Sequence, residues 1–338
     1  MKIAVLRALQ LGDLLCAVPA LRALKAEYPA ARITLIGLPW ARAFAARFRR
    51  YIYDFIEFPG LPGLAERTCN AEQLPRFFEE VKRRRYDLAI QMHGSGEVTN
   101  PLAVLLGARH TAGFYRTGRF CPDAERFVDW RDSEHEVLRY LRLLARLGIP
   151  AQGSALEFPL DDEDWREWSA LGLQRDAYAV VHPGSQLASR RWPPERFAQV
   201  ADALADEGLQ VVLTGTQAES SITSAVKGRM RTEPIDLTGA TTLGGLAALV
   251  ARARMVVAND TGISHIAAAL KAPSVIIASG SDPKRWAPLD RQLHRVLSHD
   301  IECRPCTHAT CPIGHPCALG VSAERVIHEA RSLTECVA

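Results

Sequence analysis

The sequence predicts an α/β protein with two Rossmann-like domains, and three observations support this fold class. Short runs rich in Val, Ile and Leu alternate with segments of helical periodicity, a pattern typical of parallel sheets covered on both faces. The chain has 338 residues, of which 48% are hydrophobic and 23% are charged, which suits two globular domains of ordinary size. The alternation breaks once near the middle of the chain, and we expect the two domains to meet across a cleft.

The order of elements follows from the apolar runs and the periodic segments between them. The predicted strands are Ile3–Leu6, Ile33–Ile36, Ile52–Phe58, Leu88–Met92, Thr111–Phe114, Ala179–His182, Val211–Thr214, Ile235–Leu237, Val256–Ala258 and Val275–Ala278. The predicted helices are Leu14–Glu27, Leu74–Arg84, His135–Leu147, Glu195–Glu207, Ala218–Arg229, Leu246–Ala253 and Ala323–Cys336. The segment after the third predicted helix contains Pro150, Pro159 and the acidic run Asp161–Asp164, a composition typical of a connector between two domains. The expected domains are therefore 1–155 and 177–322, with a connector over 156–176 and a closing helix over 323–338.

Charge is distributed unevenly along the chain. Residues 1–150 contain 23 Lys and Arg against 16 Asp and Glu, a net charge of +7, whereas residues 151–338 contain 18 against 22, a net charge of −4. The basic half could face an anionic surface, although a solvated helix face is the favoured explanation for Lys82–Arg85. Aromatic residues do not alternate with the basic ones, so nucleic acid is not an expected partner. The sequence contains no apolar run of membrane-spanning length and starts directly with a strand, which predicts a cytoplasmic protein.

Four of the eight cysteines fall within fifteen residues, at Cys303, Cys306, Cys311 and Cys317. The two-residue gap of the first pair allows two thiolates to hold one metal ion, and the second pair could complete a tetrahedral site. Zinc and iron both suit four sulfur ligands. The sequence thus predicts a structural metal loop, with reduced structural cysteines as the alternative.

Candidate catalytic chemistry begins after the first strand. Gly12 and Asp13 follow the strand where α/β folds place ligands, and a carboxylate there could take a proton from a substrate hydroxyl. The alternative is that Asp13 only caps the next helix. The loop lacks the GxGxxG pattern, so it carries no dinucleotide fingerprint.

The second predicted domain brings polar side chains to the ends of three strands. Ser185 and Arg190 follow the first of them, and a guanidinium suits the oxygens of a diphosphate. Thr214 and Glu219 follow the second, where a carboxylate could accept hydrogen bonds from a ribose or base. Because parallel strands end at one sheet edge, these groups should converge on one ligand.

The third strand end carries the sequence Asn259-Asp260-Thr261-Gly262, followed by a helix with His265 in its first turns. Unpaired N–H groups and the helix dipole make such a helix start suitable for a phosphate. Simple capping by Asp260 and Thr261 is the alternative, and His265 could merely pack within the helix.

Together these motifs resemble glycosyltransferase family 9, the ADP-heptose:lipopolysaccharide heptosyltransferases, over nearly the whole chain. The resemblance rests on the following segments: Leu11-Gly12-Asp13, Pro19-Ala20-Leu21, His182-Pro183-Gly184-Ser185, Arg190 with Trp192-Pro193, Leu213-Thr214-Gly215, and Asn259–Gly262 with His265. It implies the GT-B architecture, in which the C-terminal domain binds the nucleotide sugar and the N-terminal domain binds the acceptor. Gln10 departs from the small residue expected before Leu11.

The resemblance also implies inverting, metal-independent sugar transfer with Asp13 as general base. Arg190 matches a diphosphate-contacting position that is often Lys, and the other matched donor-binding positions are Ser185, Thr214, Glu219, Asp260, Thr261, Gly262 and His265. Gly12, His93 and Arg116 are acceptor-side candidates. The implied partners are an ADP-sugar, a glycolipid of the lipopolysaccharide core and lipid A type, and the anionic inner face of the inner membrane.

The leading hypothesis is therefore a heptosyltransferase of lipopolysaccharide assembly. Two alternatives keep the fold, namely a protein O-glycosyltransferase and a non-catalytic nucleotide-sugar-binding protein. A sugar–nucleotide epimerase shares the architecture but is not favoured by the segment from Asp260 to His265.

Overall fold

In a computed structural model, the chain forms two compact units, Met1–Ser154 and a second that begins at Ala155. The structure describes the backbone of residues 1–337 and the side chains of residues 1–333. Each unit contains a six-stranded sheet whose paired strands all run parallel. Parallel strands are buried on both faces by helices, which is why they appear in the sequence as continuous apolar runs. The α/β class predicted from the sequence is confirmed.

The first unit has the strand order β3-β2-β1-β4-β5-β6. Its strands are β1 (Lys2–Leu6), β2 (Arg32–Gly37), β3 (Asp54–Glu57), β4 (Leu88–Gln91), β5 (His110–Tyr115) and β6 (Phe127–Asp129). Its helices are α1 (Leu11–Glu27), α2 (Ala41–Arg47), α3 (Leu74–Arg84), α4 (Thr99–Leu105) and α5 (Glu136–Arg146). Every residue of β4 is buried, as are all but the first residue of β1 and β2. The centre of the sheet is therefore the core of this unit.

The second unit has the strand order β12-β11-β10-β7-β8-β9. Its strands are β7 (Tyr178–His182), β8 (Gln210–Leu213), β9 (Ile235–Asp236), β10 (Met255–Asn259), β11 (Ser274–Ile277) and β12 (His294–Leu297). Its helices are α6 (Asp162–Ala170), α7 (Pro194–Asp206), α8 (Ser220–Lys227), α9 (Leu243–Arg252), α10 (Gly262–Leu270), α11 (Pro283–Trp286), α12 (Pro316–Leu319) and α13 (Ala323–Val337). Strands β7, β10 and β11 are buried throughout.

Both sheets are doubly wound, and the chain reverses its direction of travel across each sheet at one place. The reversal lies between β1 and β4 in the first unit and between β7 and β10 in the second. Loops leaving the carboxyl ends of the strands diverge at such a point, and the crevice between them is where α/β sheets bind ligands. Each unit therefore has one favoured ligand edge.

Two strands and five helices were not predicted from the sequence, namely β6, β12, α2, α4, α6, α11 and α12. Strands β6 and β12 have three and four residues and lie at sheet edges, where a short strand leaves too little periodicity to detect. Helix α6 lies within the predicted connector, and the acidic run forms the N-terminus of this helix. Asp161 accepts hydrogen bonds from the backbone N–H groups of Glu163 and Asp164, at 3.0 and 3.1 Å. The acidic run is thus a helix cap.

The basic run at the end of α3 forms the solvated helix face favoured in the sequence analysis. Lys82, Arg83 and Arg85 are exposed, and the buried residues of α3 are Phe77 and Val81. Cations in the last turn also interact favourably with the negative end of the helix dipole. Within the described chain, no helix combines the length and apolarity needed to cross a membrane.

Candidate functional site

Asp13 lies in the first turn of α1, at the reversal point of the first sheet. Its Oδ2 accepts a hydrogen bond from the Gln10 backbone N–H at 3.3 Å, and its Oδ1 lies 3.2 Å from Nη2 of Arg7. The side chain remains 20% exposed. The helix-capping interaction is thus present, but it leaves part of the carboxylate open to a substrate. Capping and proton transfer are compatible at this position.

Two of the acceptor-side candidates lie near the same edge. Gly12 is buried in the first turn of α1, and His93 follows the end of β4. His93 Nδ1 accepts a hydrogen bond from the Ala8 backbone N–H at 3.2 Å, while its Nε2 lies 3.4 Å from a carboxylate oxygen of Glu66. The hydrogen bond with His93 lowers the pKa of Glu66. The imidazole therefore connects the β1 loop to the loop that carries Glu66.

Arg116, the third acceptor-side candidate, is paired within its own unit. Both terminal nitrogens of its guanidinium donate to the Asp132 carboxylate, at 3.0 and 2.8 Å. This hydrogen-bonded pairing raises the pKa of Arg116. An anionic acceptor would therefore meet a partly neutralised cation at this position.

Asn259 joins two of the strand-end loops in the second unit. It is fully buried at the end of β10; its Nδ2 donates to the Pro183 carbonyl at 2.8 Å, and its Oδ1 accepts from the Trp192 backbone N–H at 3.0 Å. Trp192 is 1% exposed and stacks edge-on against Phe197. Trp192 therefore packs as the base of the loop. The side chain of Asn259 thereby fixes the loop that carries Ser185 and Arg190.

Helix α10 begins at Gly262 without a side-chain cap from Thr261. Asp260 Oδ1 instead lies 3.3 Å from the Ser264 hydroxyl. The simple capping explanation for Thr261 is therefore not supported, and the helix start keeps the character of an anion site. His265 is 5% exposed with its ring edge-on to Trp286, consistent with the packing alternative considered for this histidine.

His182, Thr214 and Glu219 form a second polar group at this edge. His182 Nδ1 lies 3.0 Å from the Thr214 hydroxyl, and burial lowers the pKa of His182, so the imidazole is neutral near pH 7. Glu219 Oε2 accepts from the backbone N–H and the hydroxyl of Thr216, at 2.8 and 2.9 Å. The same carboxylate lies so close to Gly184 that a Cβ there would fall 2.3 Å from Oε1. Any residue larger than glycine would displace Glu219.

The loop after β11 adds two residues that the sequence analysis missed. Ser279 and Ser281 are 1% and 3% exposed, and their hydroxyls lack hydrogen-bond partners within the structure. Between them lies Gly280, where a Cβ would be 3.6 Å from Cγ of Arg190. Nε of Arg190 is also buried without a partner. Unpaired buried donors are costly, so this corner suits a ligand rich in oxygen. Two serines directly after a buried strand were the available signal.

Arg191 stabilises the loop that precedes it. Its Nε donates to the Ser185 carbonyl at 2.8 Å, and Nη2 lies 3.4 Å from the Gln186 carbonyl. The sequence analysis gave this side chain no role. Ser185 itself is 4% exposed, so the arginine holds a buried part of the loop in place.

The four clustered cysteines line one cavity of about 130 Å³, together with His308 and His315. Among the side chains that the structure describes, no three His, Cys, Asp or Glu residues are placed to hold an ion together. The backbone N–H of His315 donates to Cys311 Sγ at 3.2 Å. The metal site stays a prediction.

The cysteine loop contacts both neighbouring strand-end loops. The Cys306 backbone N–H donates to the Gly280 carbonyl at 2.8 Å, and the Ser189 hydroxyl donates to the His308 carbonyl at 2.6 Å. Nη1 of Arg304 donates to the Ala278 carbonyl at 2.8 Å. The loop therefore supports the segments that carry Arg190 and Ser281.

The chain is similar to known proteins both in sequence and in structure. A family model described as glycosyltransferase family 9 (heptosyltransferase) matches residues 74–316. Lipopolysaccharide heptosyltransferase 2 of Escherichia coli K12 is 25% identical over 349 residues, covering 98% of this chain and 98% of that protein.

Two solved structures share the fold over almost their whole length. A glycosyl transferase family 9 protein from Veillonella parvula DSM 2008 superposes with a TM-score of 0.81 at 24% identity, covering 99% of this chain and 97% of that chain. The E. coli ADP-heptose lipopolysaccharide heptosyltransferase II gives 0.78 at 22% identity, with coverage of 100% and 99%. Since the family model spans well over half of the residues, the chain belongs to glycosyltransferase family 9, the heptosyltransferase family, and is a glycosyltransferase.

Proposed function

We propose that this protein transfers a heptose from an ADP-activated donor to an acceptor of the lipopolysaccharide core, with Asp13 as general base. The observation that carries the proposal is the Asp13 carboxylate, which lies at the reversal point of the first sheet, oriented by two partners and still partly exposed. The E. coli relative is named for lipopolysaccharide, and the solved E. coli heptosyltransferase II is named for ADP-heptose as well. Family membership makes the same substrates the first ones to test here.

The proposed reaction is a single displacement that inverts the anomeric centre. The acceptor hydroxyl oxygen forms a bond to the anomeric carbon while its proton passes to the Asp13 carboxylate. The bond between that carbon and the diphosphate oxygen breaks, and ADP leaves with the electron pair. A carboxylate within hydrogen-bond reach of the hydroxyl is suited to this general-base role.

We propose that the second unit binds the ADP moiety at its own reversal point. Negative charge grows on the diphosphate as the bond breaks, so the transition state gains from fixed donors. Arg190 supplies a guanidinium with an unpaired Nε, and the uncapped start of α10 supplies N–H groups at Gly262. Ser185, Thr214, Asp260 and Thr261 lie in the same group of loops. These donors would let the leaving group depart without a divalent ion.

Glu219 is the proposed contact for the nucleoside. One of its oxygens is held by Thr216, and the other lies against Gly184. A fixed carboxylate accepts hydrogen bonds from ribose hydroxyls or from a base amino group. The buried His182 beside Thr214 would orient the same loop.

The test is turnover of ADP-heptose with a lipopolysaccharide-core acceptor, followed as ADP release in the presence of EDTA. We expect wild-type turnover, and a loss on the order of 10²–10⁴-fold in Asp13→Asn, which keeps the size of the side chain but removes the base. Glu27→Gln, which neutralises an exposed carboxylate at the other end of α1, is the matched control and should retain activity.

Four outcomes would contradict the proposal. Binding of ADP-heptose without turnover on any acceptor would favour the non-catalytic alternative, and transfer only to protein would favour the O-glycosyltransferase. Equal turnover in Asp13→Asn would exclude Asp13 as the base. Loss of wild-type turnover in EDTA that is restored by added Mg²⁺ would contradict metal-independent chemistry.

We propose that the acceptor is met at an anionic membrane surface on the cytoplasmic side. The support is the net charge of +7 over residues 1–150, since clustered cations attract anionic headgroups within a Debye length.

A further inference from the structure

We propose that Arg7 is a positioning residue for the transfer reaction: its buried guanidinium, anchored by Glu136, holds the Asp13 carboxylate ionised and correctly oriented. This inference rests on the proposed role of Asp13 as the base. It adds a residue that none of the sequence motifs contains.

The guanidinium of Arg7 contacts both the main chain and the side chain of Asp13. Arg7 follows β1 directly and is fully buried. Its Nε donates to the Asp13 backbone carbonyl at 2.7 Å, and its Nη2 donates to Oδ1 at 3.2 Å. Its Nη1 donates to the carbonyl of Met92, just after β4. One planar group thus connects the first turn of α1 to the two central strands at the reversal point.

Helix α5 holds the guanidinium from the opposite side. Nη2 of Arg7 lies 3.4 Å from Oε1 of Glu136, a carboxylate that is itself 1% exposed. The ring of Tyr140 lies under the guanidinium, with its centroid 4.6 Å from Cζ. The Tyr140 hydroxyl donates to Glu136 Oε1, and Arg139 donates to the other oxygen of that carboxylate. The carboxylate of Glu136 is therefore fixed by its own helix, and it fixes Arg7 in turn.

The charges in this cluster are consistent with that arrangement. Burial alone would lower the pKa of Arg7, but Tyr140, Asp13 and Glu136 together raise it above its ordinary value. Burial raises the pKa of Tyr140 well above its ordinary value, so its hydroxyl keeps the proton that it donates. Cys16 of α1 makes a further, smaller electrostatic contribution that raises the pKa of Arg7. The cation next to Asp13 is thus permanent, and a permanent neighbouring cation favours the ionised carboxylate.

A purely structural role is the alternative, since buried arginines often serve to pair buried carboxylates. The contacts to Asp13 argue for more than that. Glu136 already has Arg139 and Tyr140 as partners, so it does not need Arg7 to remain satisfied. By contrast, two nitrogens of Arg7 donate to Asp13. The Asp13 carboxylate is partly exposed to solvent, whereas that of Glu136 is buried.

Two substitutions separate the charge of Arg7 from its geometry. Arg7→Lys keeps a cation but loses the planar fork that grips Asp13, whereas Arg7→Gln loses the charge. We expect kcat to fall about 10-fold or more in both variants, because a misoriented base loses efficiency. We expect the acid limb of the pH–rate profile to move to higher pH, by about one unit, in Arg7→Gln only.

The matched control is Arg22→Gln. Arg22 lies farther along α1 and donates to the Gln152 carbonyl at 3.0 Å, so it tests whether loosening this helix alone changes the pH profile.

Glu136→Gln is the second variant. It keeps Arg7 but weakens the contact that anchors the guanidinium, and we expect a lower kcat with little change in the acid limb of the pH–rate profile. Thermal unfolding identifies any variant that fails to fold, and Arg7→Lys and Glu136→Gln then carry the test.

The double variant Asp13→Asn/Arg7→Gln distinguishes this inference from the proposed function. If Arg7 acts through Asp13, the double variant loses no more activity than Asp13→Asn. A folded Arg7→Gln with the wild-type kcat and pH profile would overturn the role of Arg7 while leaving Asp13 as the base. Full activity in Asp13→Asn would overturn the proposed base, and this inference with it.

Discussion

Asp13 shows why a helix-capping position can also be a candidate catalytic position. A carboxylate in the first turn of a helix is expected on local grounds, because it complements the helix dipole. The structure adds Arg7 on one oxygen and the Gln10 N–H on the other. The bulky Gln10, which departs from the family pattern, thus keeps a backbone contact with the proposed base.

His294 gives the folded protein a defined dependence on pH. It is buried with Nδ1 2.8 Å from the Ser274 hydroxyl, and burial lowers its pKa to about 4. An unfolded chain has the ordinary value of about 6.5, so the unfolded state takes up the proton first as the pH falls. The stabilising contribution is complete above about pH 6.5 and decreases towards pH 4.

We therefore expect His294→Gln to flatten the pH dependence of stability. Between about pH 7.5 and about pH 5, the wild type should lose about 2 kcal/mol more unfolding free energy than the variant. Urea denaturation at both pH values measures the difference, with His110→Gln at an exposed position as the control. A variant with the wild-type pH dependence would show that His294 is not the titrating group.

At the scale of elements, the cysteine loop is a motif that can be identified from the sequence, whereas its contacts with other loops are known only from the structure. The loop forms hydrogen bonds with Gly280 and Ser189, so its conformation affects two loops of the proposed ADP site. Sequence spacing could not indicate this contact, because Ser189 and His308 are 119 positions apart.

We expect protein purified under reducing conditions without chelators to contain about one zinc or iron ion per chain. Cys306→Ser should remove most of that metal, whereas Cys16→Ser, in the other unit, should not. Elemental analysis makes the measurement. Metal-free wild-type protein would exclude the structural metal and leave reduced cysteines as the correct interpretation.

Helix positions were predicted better than their first residues. α3 has the predicted limits, Leu74–Arg84, because its amphipathic pattern is strong. α1 begins three residues before the predicted Leu14. This difference matters, because it places Asp13 inside the first turn rather than before the helix. Helix starts depend on capping contacts, which periodicity does not reveal.

At the scale of the whole molecule, the uneven charge leads to a measurable expectation. Arg49 and Arg83 are exposed in the basic half. We expect the protein to bind vesicles that contain anionic lipids, with affinity falling about tenfold between ~50 and ~300 mM salt. Sedimentation with vesicles measures this binding.

The controls are neutral vesicles and a charge reversal in the second unit. Arg49→Glu/Arg83→Glu should weaken binding, while Arg229→Glu, exposed in the second unit, should have little effect. Binding that is insensitive to salt, or equal on neutral vesicles, would contradict an electrostatic membrane contact.

The sequence by itself determined the fold class and most of the candidate residues. Strands buried on both faces must be apolar throughout, and helices that cover them must be amphipathic, so both are visible along a single chain. The end of each apolar run also marks the end of a strand, which is why Ser185, Thr214 and Asp260 could be selected as candidate ligand-binding residues. The short edge strands β6 and β12 left no comparable signal.

Only the tertiary structure decided which of these ends are neighbours. Arg7 meets Glu136 across 129 positions, and Asn259 meets Pro183 across 76. Such contacts depend on strand order, because β1 lies beside β4 and β7 beside β10. Local propensity does not encode that order; packing of the whole sheet does. For this reason the proposed base could be selected from the sequence, while the arginine proposed to hold it is visible only in the fold.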